Sequence, residues 1–118
     1  MEGARLMNSA EYRNATRRDL KGSFEIIDSM TGLRVGHLID LSGTGLQVAT
    51  SAPLIQDALY QWRFPLPAAG GRQPIEVECG IHVLWISSET PGEYTAGGRF
   101  IQISRETRDR IRAWTEGN

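Results

Sequence analysis

Hydrophobic and polar residues alternate along much of this chain with the period of two that is typical of β-strands. The longest such run reads IEVECGIHVLWI, and every odd position from Ile75 to Trp85 in it is apolar. This alternation predicts a strand with one buried face and one wetter face. Because the run is long for one straight strand, we predict a bend or a β-bulge at Gly80.

Five further segments have the composition of strands and are separated by turn signals. In chain order they read GSFEIID, LRVGHLID, TGLQVAT, ALYQWRF and YTAGGRFIQI, and the SMTG after the first predicts a hairpin turn. After Ser104 the period changes, because Thr107, Ile111 and Trp114 recur at the spacing of one helix face. Ser104 is the predicted N-cap, and Glu106 falls in the first turn.

Six strands followed by one helix predict a mainly β fold, an antiparallel barrel or sandwich whose strands pair in sequence order. The first 20 residues show no sustained periodicity, so we predict a polar N-terminal arm over residues 1–20. Residues 21–118 then form a single β domain with its terminal helix. A chain of 118 residues is long enough for one hydrophobic core and too short for two.

Composition argues against several classes of function, although it says less about the fold. The net charge is −1, which argues against a partner such as a nucleic acid polymer, whose binding relies on neutralising many phosphates. No apolar run is long enough to cross a membrane, so we expect no membrane insertion. The start of the chain lacks the apolar core of a signal peptide, and the single cysteine, Cys79, suits a reducing compartment. We therefore expect a soluble, cytoplasmic protein of bacterial type.

Residue constellations for catalysis are scarce. The two histidines, His37 and His82, have no metal-ligand partner at a familiar spacing. Cys79 alternates with core positions, which predicts a buried and unreactive thiol. Glu76 and Glu78 fall on the polar face of a strand, where solvation explains them more simply than acid–base chemistry. We predict that the protein is not an enzyme and has neither a metal nor a resident cofactor.

The segment DLSGTG, from Asp40 to Gly45, carries the most specific chemistry. In extended chain Asp40 and Ser42 point to the same side, with about 7 Å of chain between them. Their oxygens could accept from the adjacent N–H donors of a guanine, and the glycines would let a ligand approach the backbone. Taken alone, the same residues also fit an ordinary Asp/Ser/Gly turn between two strands.

A basic segment, RNATR, lies about two dozen residues upstream and carries Arg13 and Arg17, with Arg18 directly after it. Arginine forks can hold phosphates bidentately and can pair with the O6 and N7 atoms of guanine. Asn14 and Arg18 are also spaced four apart, but only Arg13 and Arg17 supply two cations, so we choose that pair. Donors for phosphates and acceptors for a base edge are together what a guanine nucleotide requires.

This combination resembles the PilZ domain family, the receptors for the bacterial second messenger cyclic di-GMP. The family pattern is Arg-x-x-x-Arg followed, after a strand and hairpin, by Asp/Asn-x-Ser-x-x-Gly. A later strand of the family often reads like GGRFIQIS, and a helix commonly follows it. The resemblance therefore covers nearly the whole chain, from about residue 11 to its end.

The resemblance implies a six-stranded antiparallel β-barrel with the arginine-bearing arm wrapped across its outside. It also implies that Arg13 and Arg17 contact phosphates and guanine, that Asp40 and Ser42 hydrogen-bond guanine, and that Gly45 permits the tight turn between strands. Arg18 lies outside the strict motif and is expected only as an auxiliary contact.

We therefore predict a cyclic di-GMP receptor whose N-terminal arm changes conformation on binding and which signals in trans to an unidentified protein effector, as a monomer or a homodimer. The first alternative is a PilZ-like interaction adaptor that does not bind the nucleotide, for example in pilus or motility assembly. The second is a small barrel that binds single-stranded nucleic acid on aromatic platforms at Tyr60, Trp62 or Trp85.

Overall fold

The computed structural model describes residues 24–68 and 71–116 and, for the backbone alone, residues 17–19. The remainder of the predicted arm, including Arg13, lies outside the described residues. The elements in chain order are β1 (Arg17–Asp19), β2 (Glu25–Asp28), β3 (Arg34–Ser42), β4 (Gly45–Thr50), β5 (Leu59–Leu66), β6 (Ile75–Thr90), β7 (Glu93–Gln102) and α1 (Arg105–Thr115).

The strands form a closed antiparallel barrel. Neighbours pair in the order β3, β2, β5, β6, β7, β4, and β4 then pairs with β3 to close the circle. This confirms the mainly β prediction and decides for a six-stranded barrel over a sandwich. The predicted pairing in sequence order is wrong at one connection, because β4 pairs with β7 and β5 pairs with β2, so β4 and β5 are not neighbours. Closure also leaves the six barrel strands without an exposed edge, which removes a common route to aggregation.

The interior of the barrel follows the alternation that the sequence predicted. In β6 the residues Val77, Cys79, Ile81 and Val83 are all buried, with at most 2% of the side chain exposed. The register between β6 and β7 shifts between Gly80 and Ile81, so the predicted irregularity at Gly80 is confirmed. A bulge at this point bends the strand and allows one long element to follow the curvature of the barrel.

The helix α1 supplies the last part of the core. The hydroxyl of Ser104 accepts a hydrogen bond from the amide of Thr107 at 3.1 Å, which confirms the predicted N-cap. Ile111 and Trp114 are buried among the barrel residues, and the Trp114 ring lies 5.8 Å from that of Phe24 at the start of β2. The helix therefore covers one end of the barrel. In the described part of the chain, no helix has the length and hydrophobicity needed to span a bilayer.

Among the elements that the structure describes, β1 alone was not predicted from the hydrophobic pattern. It is only three residues long and pairs antiparallel with the last residues of β3. Three residues are too few for an alternation of hydrophobic and polar positions to be recognised. Its main-chain pairing with β3 is a tertiary property that local sequence does not encode.

Candidate functional site

The DLSGTG segment forms the end of β3, the turn and the start of β4. The side chain of Ser42 is fully buried, and its hydroxyl oxygen accepts hydrogen bonds from the amides of Thr44 at 3.2 Å and Gly45 at 3.3 Å. It also lies 3.1 Å from the hydroxyl of Thr44. Ser42 therefore holds the turn together, as the turn interpretation of this segment predicted. Its contact with guanine stays a prediction.

A β-bulge lies directly before the turn. Leu38 pairs with Val48 but Asp40 pairs with Gln47, so β3 has one extra residue at this point. The bulge lets Leu38 and Leu41 both enter the core although they are three apart, and it leaves Asp40 half-buried between them. Bulges commonly re-aim a side chain next to a functional site. Here the bulge sets the position of Asp40.

The strand β1 lies against this motif. The Cα of Arg17 is opposite that of Ser42, Arg18 is opposite Leu41, and Asp19 is opposite Asp40. The structure thus brings the second arginine of RNATR to the motif serine, across about two dozen residues of chain. The choice of Arg13 and Arg17 as the ligand-binding pair stays a prediction.

Gly45 is needed for a reason that differs from the expected one. It was expected to permit a tight turn, yet the described glycines with positive φ are Gly32, Gly71 and Gly92. Instead, a Cβ atom added to Gly45 would lie 2.2 Å from the carbonyl oxygen of Gly98 in β7. The missing side chain is therefore required by the close approach of β4 to β7.

Two further arginines flank the turn, and the sequence analysis had not assigned either of them. Arg99 pairs with Gly45 across β4 and β7, and the amide of the next residue, Phe100, donates to the carbonyl of Thr44 at 3.0 Å. Arg112, in the last turn of α1, lies with its side-chain stem over Gly43. Knowledge that β4 pairs with β7 would have placed Arg99 beside the turn. Nothing in the local sequence marks Arg112.

The surroundings of Cys79 and His82 explain both residues by structural roles. Burial, helped by the nearby charge of Glu78, raises the pKa of the Cys79 thiol to about 12, so the thiol stays protonated and unreactive near neutral pH. The Nε2 atom of His82 lies 3.2 Å from a carboxylate oxygen of Asp57 at the surface. Among the residues that the structure describes, no three histidine, cysteine or acidic side chains cluster as metal ligands.

The aromatic residues that could have served as stacking platforms mostly face inward. Trp62 is 1% exposed and Trp85 is 9% exposed. Tyr60 is half-buried, and its hydroxyl accepts from the amide of Ile55 at 3.0 Å. Bases that stack on protein need an open ring face. The two tryptophans do not offer one, which weighs against the single-stranded nucleic-acid alternative.

A groove of about 490 Å³ lies away from the motif residues. Its walls come from the first half of β3, the end of β4 and the hairpin between β6 and β7. Neither Asp40, Ser42 nor Gly45 lines it. The motif residues instead surround a turn at the other end of β3, beside the helix. The β3–β4 turn is therefore separate from this groove.

Comparisons with known proteins agree with this fold. The structure is similar to that of the Bacillus subtilis inhibitor of motility (MotI/DgrA), with a TM-score of 0.72 and 13% sequence identity. The match covers 88% of this chain and 49% of the other, so this chain spans about half the length of that protein. A comparison with curated proteins finds no match. The family model of the PilZ domain matches residues 11–117, and the chain therefore belongs to the PilZ domain family.

Proposed function

We propose that this protein is a receptor for cyclic di-GMP that binds the dinucleotide at the turn between β3 and β4. The observation that carries the proposal is the pairing of β1 with β3, in which Arg17 lies opposite Ser42. PilZ domains are receptor and adaptor domains rather than enzymes. A surface that joins arginines to a carboxylate fits that role, because it can bind both the phosphates and a base edge.

The roles of the residues follow from their chemistry. Arg13 and Arg17 contact phosphates and guanine, Asp40 accepts from the N–H groups of a guanine, and Arg18 is an auxiliary contact. Gly45 keeps β4 close to β7 and so sets the shape of the turn. The oxygen of Ser42 already accepts two amide hydrogen bonds, and its hydroxyl donates to the carbonyl of Gly45 at 3.4 Å. Ser42 therefore acts mainly by holding the turn on which the ligand rests.

The expected result of an Arg17→Ala substitution is a roughly 10- to 100-fold loss of affinity for cyclic di-GMP, because charge-assisted hydrogen bonds to the ligand are removed. Isothermal titration calorimetry of the wild type and the variant measures this loss and also gives the stoichiometry. Arg72→Ala is the matched control, since Arg72 is exposed in the loop between β5 and β6. Equal affinities of wild type and Arg17→Ala would contradict the assigned site.

Binding is proposed to act through the segment around Arg13 and Arg17. When its arginines bind the ligand, the segment closes over the turn. This closure changes the surface that a partner protein contacts, which is a common form of ligand-driven switch. We expect amide hydrogen exchange in residues 10–20 to slow on addition of cyclic di-GMP, while β6 exchanges equally with and without ligand. Identical exchange of residues 10–20 in both states would rule out this conformational step while leaving binding intact.

A second candidate function is that of an adaptor that contacts a protein without binding the nucleotide. The observation that favours it is the engagement of Ser42 in the turn, which leaves its oxygen without a free lone pair for a guanine N–H group. The wild-type titration separates the two candidates, because absence of binding selects the adaptor. In either case we propose a cytoplasmic protein partner. The name of the MotI/DgrA neighbour makes motility the first process in which to look for it.

A further inference from the structure

Arg112 crosses the β3–β4 turn at the one point where the turn has no side chain. A Cβ atom added to Gly43 would lie 2.7 Å from Cγ and 2.9 Å from Nε of Arg112. Gly43 occupies a variable position of the Asp-x-Ser-x-x-Gly pattern. The contact is therefore a feature of this chain and is not prescribed by the family pattern.

The backbone of Arg112 is fixed, whereas its charged group has no partner among the described residues. Its carbonyl accepts from the amide of Glu116 at 3.1 Å and from the hydroxyl of Thr115 at 3.0 Å, which secures the last turn of α1. Three other arginines have partners: Arg34 pairs with Glu25, Arg63 pairs with Glu76, and Arg110 donates to the carbonyl of Gln73. Arg112 thus presents a guanidinium at the turn for which the described part of the chain supplies no counter-ion.

We propose that Arg112 is a third arginine of the nucleotide site and donates hydrogen bonds to a phosphate of cyclic di-GMP bound at the turn. This inference rests on the proposed function. Its position fits, because Arg17 pairs with Ser42, the residue directly before Gly43. Cations from both ends of the chain therefore flank the same turn. A planar guanidinium fork is suited to a phosphate, and its stem is already positioned by the glycine below it.

The proposal predicts that Gly43 and Arg112 act as one unit. Gly43→Ala would force the Arg112 side chain into another position, because the three nearest atoms all belong to that side chain and none to the backbone. We expect Arg112→Gln and Gly43→Ala each to weaken binding of cyclic di-GMP roughly 10-fold. The double variant should be no weaker than either single variant, because the second change removes nothing further. Arg105→Gln, at the other end of α1, is the matched control and should bind like the wild type.

Calorimetric titration of the wild type and these variants with cyclic di-GMP, together with their urea midpoints, tests the proposal. Unchanged midpoints with the non-additive losses support a direct role, and Arg112→Lys should recover part of the affinity, because the charge is kept without the fork. If Arg112→Gln binds like the wild type while Arg17→Ala does not, this inference fails and the proposed function stands. If Gly43→Ala weakens binding equally in the Arg112→Gln background, the methyl group blocks the ligand directly and the inference fails. If the wild type does not bind, both proposals fail together.

Discussion

Gly45→Ala is expected to lower the free energy of unfolding by about 3 kcal/mol, the upper part of the usual range for overpacking a closely packed site. The added Cβ would meet the carbonyl oxygen of Gly98 at 2.2 Å and the Cα of Arg99 at 3.2 Å. Both are backbone atoms of β7, which is paired with β4 continuously from Gly45 to Thr50. Neither strand can withdraw at this point without losing part of that pairing, so the strain cannot be relieved locally.

Urea denaturation followed by far-ultraviolet circular dichroism measures this loss, and Gly43→Ala is its control. The two glycines are two residues apart in the same turn, and neither has a positive φ. At Gly43 the added atom meets only the side chain of Arg112, so that variant should unfold near the wild-type midpoint. Equal midpoints for Gly45→Ala and the wild type would show that β4 and β7 are not held as closely as described.

This contrast changes how a mutation in the motif should be interpreted. A Gly45 variant that fails to bind cyclic di-GMP has lost the shape of the barrel at the site, so its failure does not show that Gly45 contacts the ligand. The same caution applies to Ser42, whose hydroxyl supports the turn through the amides of Thr44 and Gly45. Substitutions of Arg17 and Arg112 test the chemistry of binding more directly than substitutions of these two residues.

The features that sequence predicted well are those set by local burial. The alternation in β6 predicted its buried face from Val77 to Val83, because a strand in a barrel wall has one side in the core throughout its length. The prediction of the C-terminal helix was also based on local signals, because Ser104 caps α1 and because Ile111 and Trp114 form its apolar face. Turn residues marked the strand boundaries less well, because β6 continues to Thr90, four residues beyond the predicted run.

The features that sequence did not predict are pairings between distant parts of the chain. The bulge between Leu38 and Asp40 is defined only by the partner strand, β4, and β1 is defined only by the end of β3. The contact of Arg112 with Gly43 needs the helix to cover one particular end of the barrel. The candidate site was therefore predicted as two separate motifs, and the place of Arg112 beside the turn is seen only in the folded structure.

Trp62→Ala is expected to lower the free energy of unfolding by about 4 kcal/mol, because a fully buried aromatic side chain is replaced by a cavity that the barrel cannot fill by relaxing. Trp62 is 1% exposed, and its ring centroid lies 5.4 Å from that of Tyr60. Its backbone is paired with both β2 and β6, which limits any collapse of the wall. If Trp62 were a stacking platform for nucleic acid, its loss would instead leave stability nearly unchanged.

The matched control for Trp62 is Trp62→Phe, which keeps an aromatic ring in the core and removes the indole N–H. That N–H is buried and has no hydrogen-bond partner among the described residues, so its removal offsets part of the lost packing. We expect Trp62→Phe to cost only about 1 kcal/mol. Urea denaturation followed by circular dichroism compares both variants without relying on tryptophan emission, which the substitutions themselves alter. A Trp62→Ala protein that unfolds at the wild-type midpoint would contradict the position of this residue in the core. A large loss of unfolding free energy in Trp62→Ala but not in Trp62→Phe would show that packing of the ring provides the stabilisation.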